Sequence, residues 1–308
     1  MEQPEKKGFH EFLLSIDRRV VYVLVLIALI GPLLVEKGMQ PAKMTTAQMA
    51  YDAVEKLPTG TGKMVWIAMD WGPATQAENM PQTSVFMEHL MRRKIPFCTY
   101  SISFSSEPFM KSVPDEVANS MNKKNEESGD PYRYEYGKDW VNIGFRPAAV
   151  LFVRGLGKTE DVREYLSVDA RGTPMTEIPC MKNIKTIEDF IMLAEFTGWV
   201  GAFNIWVQFF QTKDYKPIFV HGCTSITIPE AFIYLDSKQI HGLFEGVAGA
   251  AYYSKLIKGD EFDPVNNPDL ATKFMMSLSM AHILIFFFIL VGNIGLWWGK
   301  FAEKGGPS

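Results

Sequence analysis

The stretch MVWIAMDWGPATQAEN, Met64 to Asn79, decides the fold. Its first half is near-continuously apolar rather than alternating, the pattern of a parallel strand covered on both faces. Gly72-Pro73 then makes a tight turn, and Thr75 stands at the cap of a following helix. Strand, turn and helix in that order form the repeating unit of an α/β sheet. Asp70 falls at the carboxyl end of the strand, the edge at which open α/β sheets bind ligands.

Four further apolar runs match it: Pro96–Ser103, Ala148–Arg154, Phe190–Phe196 and Pro217–Cys223. Helical patterns separate them, among them TSVFMEHLMRRK, PDEVANSMNKKNEE and GAFNIWVQFFQ. The expectation is a doubly wound, mostly parallel sheet of five strands, Rossmann-like, spanning residues 40–272. FIMLAEFTGWVGAFNIWVQFF, residues 190–210, carries one charge, Glu195, and has a second reading as a membrane span. Thr197-Gly198 interrupts it, so it reads as strand, turn and helix.

Two apolar segments bracket this domain. Val20–Val35 is sixteen residues without a charge, and Phe274–Trp298 is twenty-five whose only titratable group is His282. At a helical rise they cover about 24 Å and about 37 Å, against a hydrocarbon core of about 30 Å. They predict transmembrane helices over 20–39 and 273–299, with a tail over 300–308. No small-x-small cleavage site follows LLVEKGMQPAK, so the first segment reads as an uncleaved signal-anchor rather than a signal peptide. Phe9, Phe12, Leu13 and Ile16 recur at helical spacing, suggesting an amphipathic interfacial segment over 1–19. Arg18-Arg19 abuts the first span and places both termini in the cytoplasm and the α/β domain outside a plasma (inner) membrane.

The net charge of −4 offers no basic surplus for a nucleic-acid partner. Cys98, Cys180 and Cys223 are too far apart in sequence for a metal knuckle, and no cofactor motif is present. Gly157-Lys158-Thr159 resembles the end of a phosphate loop, but Phe152 stands where its first glycine is required. Leu57 stands at the same place before Gly62-Lys63, and Met64 replaces the Ser or Thr. Candidate groups converge instead on the carboxyl edge: Asp70, Gly72, Thr75, Gly155, Glu195 and His221 as a ligand cleft. His221 and Cys223, on one face of one strand, together with Asp70 have the residue types of a nucleophile and its base. Packed strand-end side chains are the other reading.

Other features call for partners. Tyr136 and Trp140 lie in a segment dense in aromatics and charges. Gly242, Gly246 and Ala250 form a small-residue strip at four-residue spacing that permits close approach. His282 and Asn293 are polar groups in an apolar span, which need a neighbouring helix or water. DWGPATQAE, YEYGKDWVNIGFRP and GLFEGVAGAAYYSKL between two terminal spans resemble a family of uncharacterised prokaryotic two-span membrane proteins with a Rossmann-like domain. Its most specific block is YGxDxVNxG, here Tyr136 to Gly144. The resemblance implies an architecture and no activity. The function expected is non-enzymatic: a membrane-anchored scaffold that forms homo-oligomers or binds membrane-complex subunits. The alternative is a membrane-tethered hydrolase or ligand sensor using the carboxyl-edge cleft.

Overall fold

The computed structural model describes residues 17–304. The interfacial segment expected over 1–19 lies, up to residue 16, outside the described residues, as do residues 305–308 of the tail. The chain divides into two compact units, Pro41–Phe262 and the pair Met1–Gln40 with Asp263–Ser308.

The larger unit is built on one six-stranded, wholly parallel sheet. The strands are β1 (Met64–Asp70), β2 (Phe97–Ser101), β3 (Trp140–Phe145), β4 (Phe190–Thr197), β5 (Ile218–Cys223) and β6 (Gly242–Glu245), in the order 3-2-1-4-5-6. This is the Rossmann-type order, with its switch point between β1 and β4. Every residue of β1 is buried, as a central strand covered on both faces requires.

Helices cover both faces. Numbered along the chain, α1 (Arg18–Val35) belongs to the smaller unit. In the larger unit, α2 (Thr45–Glu55), α3 (Gln76–Arg92), α4 (Glu107–Ser128) and α9 (Gly246–Lys258) pack together on one face. There Phe86, Phe196, Phe244 and Tyr253 meet edge to face or tilted. On the other face lie α5 (Ala149–Leu156), the short α6 (Val162–Leu166), α7 (Ala202–Phe209) and α8 (Ile228–Asp236). Trp66 centres that core, with Tyr100, Phe190, Trp206 and Phe210 around its ring.

Four of the five expected strands form, and the sheet has six. The third expected strand, Ala148–Arg154, is instead helix α5. Phe152, Val153 and Leu156 are buried while Leu151 and Arg154 face outward, a helical spacing. An apolar run of this length fits either period, and the strand it displaces lies just before it. β3 was hidden because Asn142 and Gly144 interrupt its apolar pattern. Gly144 takes φ 82°, where the β2–β3 register shifts. β6 is four residues that begin at a glycine. Residues 190–210 form β4 and α7, strand and helix. α4 starts at Glu107, two turns before Pro114.

The smaller unit pairs α1 with α10 (Leu270–Lys304). Asp17 caps α1 by accepting from the Arg19 amide at 2.8 Å. Both helices are long and apolar enough to cross a membrane. Their apolar side chains, from Val20 to Val35 and from Ile283 to Trp298, are largely exposed.

Candidate functional site

Period-two alternation sends Trp66, Ala68 and Asp70 of β1 to the α7 side of the sheet. Ala68 pairs with Glu195, and Glu195 pairs with His221, so three strands bring Asp70, Glu195 and His221 to the same face. Cys223 follows two residues on and points the same way. The expected carboxyl-edge constellation is therefore assembled, and it is buried. Asp70, Glu195 and Cys223 have no exposed surface.

Asp70 is held by three donors. Ser101 Oγ and the Ile102 amide both donate to its Oδ1 at 2.9 Å, and Trp206 Nε1 donates to Oδ2 at 2.6 Å. Burial, and then the neighbouring Glu195, push its carboxyl up to about 7 against those hydrogen bonds. Burial pushes Glu195 well above the usual carboxylate range. His221 Nδ1 lies 2.5 Å from Glu195 Oε2. The approach is not in line, so neither Nδ1 nor the two Glu195 oxygens have a hydrogen-bond partner among the described residues. A carboxyl so placed is most easily kept as the neutral acid. Cys223 Sγ points at the Phe244 carbonyl, 3.7 Å away. A void of about 10 Å³ beside His221, bounded by Thr197, Trp199, Phe203 and Glu230, has room for one water. The two acids are held toward their protonated forms, and neither they nor the thiol reach the surface.

The switch-point crevice is filled by the chain itself. Thr75 occupies the N-cap position of α3 without a side-chain capping bond. It packs so tightly against Gly198 that a β-carbon there would overlap it. Glu78 Oε2 accepts from the Ser225 amide at 2.9 Å and from Ser225 Oγ at 2.6 Å. Asn79 reaches the Thr197 carbonyl, and Gln82 those of Cys223 and Gly246. In a dinucleotide-binding fold this helix start receives a phosphate; here it carries its own anion, Glu78. Gly72 lies against Ser105. Trp206, Ser101 and Gln82 were not legible as site residues, because only the register of distant strands brings them there, and Glu78 and Asn79 lie in the stretch Met64 to Asn79 without their partners Ser225 and Thr197 being evident.

Gly155 is not at this edge. It lies in the last turn of α5 under the Tyr165 ring, a consequence of the helix that replaced the expected strand. The small-residue strip is not one helix face either. Gly242 is in β6 against Ala50 of α2, and Gly246, at φ 56°, turns the chain from strand into α9. Gly246 is the first residue of the helix, and Ala250 lies a turn further in, fully buried. Tyr136 donates to Asp169 at 2.6 Å and carries Arg171 over its ring, and Trp140 is buried beside it. His282 is exposed on α10, and Asn293 Nδ2 donates to the Ile289 carbonyl at 2.7 Å. No set of three or more metal-ligating side chains occurs among the described residues.

This edge exposes large apolar side chains beside Ser105, Glu107 and Ser225. The loops and first helical turns after β2, β3, β4 and β5 present Phe104, Leu151, Val200 and Ile226, which are 69, 70, 75 and 88% exposed. Trp199 is 44% exposed beside Val200. No protein-family model, curated protein or solved structure matches the chain.

Proposed function

We propose that this chain is a membrane-anchored, non-enzymatic assembly protein whose α/β domain binds a second copy of itself through the carboxyl edge of its sheet. The observation that carries the reading is that edge: its crevice is filled by Thr75, Glu78, Asn79 and Gln82, while Phe104, Leu151, Val200 and Ile226 stand out from it. An apolar rim around a closed crevice is suited to a protein surface rather than to a small polar substrate. Anchoring by α1 and α10 confines copies to one plane and raises their effective concentration. Exposed His282 in the apolar stretch of α10 favours a helix of another copy as its neighbour. The apolar exposure of both helices supports a lipid surrounding over a soluble one. Arg18-Arg19 supports cytoplasmic termini with the domain on the other side.

Native mass spectrometry of the full chain released from lipid nanodiscs tests this. Dimers or higher assemblies are expected, dissociating when Val200 and Ile226 are both changed to Asp. A strict monomer at every loading overturns the reading.

A further inference from the structure

A cavity of about 360 Å³ opens at the amino ends of β4, β5 and β6, the opposite edge from the buried acids. This is within the size range of small-molecule sites. Its floor is closed by Trp206, Phe210 and Phe219, all buried. Its mouth is polar. Lys216 and Lys238 line it, neither is in an ion pair among the described residues, and no Asp or Glu lines it.

Three details fit this mouth to an anion. The cavity lies at the carboxyl ends of α7 and α8, where free carbonyls would repel one. Those carbonyls are occupied: Gln211 Nε2 donates to Val207 O and Gln208 O, and the amides of Ser237, Lys238 and Gln239 close the end of α8. His241 Nδ1 accepts from the Phe219 amide at 3.1 Å, which leaves its proton on Nε2 as a donor. Lys238 itself takes φ 60°, with the Gln239 amide bonded back to Tyr234 O at 2.9 Å. That is the left-handed position after a helix where glycine is the favoured residue. A lysine there is strained, and it lines the cavity.

We propose that this cavity binds a small oxyanion-bearing molecule of the phosphate- or sulfate-ester class, through Lys216, Lys238 and His241. The proposal goes beyond the assembly reading and does not depend on it. The test is saturation-transfer NMR with phenyl phosphate as probe and the full chain in phosphatidylcholine nanodiscs, with empty discs as the blank. Saturable binding is expected, with inorganic phosphate competing. Changing Lys216→Ala together with Lys238→Gly should weaken it about tenfold or more. Lys238→Gly alone should weaken binding while raising the melting temperature, which a lysine serving stability would not do. Lys213→Ala, an exposed lysine outside the cavity, should leave binding unchanged. No saturable binding up to about 10 mM, no competition by phosphate, or an equal loss in Lys213→Ala would overturn the proposal. The oligomeric state read from the same discs keeps this outcome separate from that of the assembly reading.

Discussion

The two edges of the sheet differ in the opposite sense from what the topology suggests. At the carboxyl edge, where this strand order usually leaves a crevice, side chains from α3 fill the space and two acids are sealed beneath. At the amino edge, usually given to stability, a cavity with two lysines stands open. Strand order provides a location for a site; the side chains at the strand ends decide whether it is used.

The strongest way to break this contrast is to damage one edge and compare the other. Trp71→Ala, just past the end of β1, removes a fully buried ring and leaves Thr83 Oγ1 without its donor. Urea unfolding should register a loss of about 3–5 kcal/mol, whereas Ser237→Ala at the amino-edge mouth should change stability by less than about 0.5 kcal/mol. Equal small losses would mean the carboxyl edge is not sealed.

A milder change isolates the polar part. Asp70→Asn keeps one acceptor oxygen for Ser101 and Ile102 but sets an amide N–H against Trp206 Nε1. The expected cost is about 1–3 kcal/mol.

Proton linkage gives a third comparison. Asp70 and Glu195 hold protons in the folded chain to higher pH than in the unfolded chain, where carboxyls titrate near 4. The stability they contribute is full below about pH 4 and is lost as pH rises, through about 7 for Asp70 and beyond for Glu195. Each group accounts for up to about 1.4 kcal/mol per pH unit within its window. Denaturation midpoints should therefore fall from pH 5 to pH 8, and Glu195→Gln, with no proton to lose, should flatten the slope. A slope unchanged in that variant would show that Glu195 is not held as the acid.

The smallest effect on the fold is expected at the exposed rim. Ile226→Asp should leave the melting curve of the domain within about 0.5 kcal/mol while reducing the assembled fraction seen on size-exclusion chromatography in detergent.

Legibility followed the same contrast. β1, β2, β4 and β5 announced themselves because buried parallel strands leave long apolar runs, and Asp70, Glu195 and His221 could be placed because each lies at or near the end of such a run. β3 and β6 did not, since Asn142, Gly144 and Gly242 break the hydrophobic pattern. AAVLFVR is too short to separate the two periods, so α5 stands where its apolar run suggests a strand. What closes the crevice was legible only at Thr75, whose partner Gly198 was not. Gln82 bonding to Cys223 and Gly246, or Trp206 to Asp70, joins residues more than a hundred positions apart. Only the register of four strands puts them together. The amino-edge cavity was equally hidden, because Lys216 comes from the connection before β5 and Lys238 and His241 from the one before β6.

The central claim is that copies meet through the carboxyl edge, and crosslinking in native membranes tests it most directly. Phe104, Leu151, Val200 and Ile226 are replaced one at a time by Cys in a Cys180→Ser background, since Cys98 and Cys223 are fully buried. Mild oxidation should yield covalent dimers from at least one of these positions and none from Lys213→Cys at the opposite edge. Monomers from all four rim positions, or dimers from Lys213→Cys alone, would contradict the account.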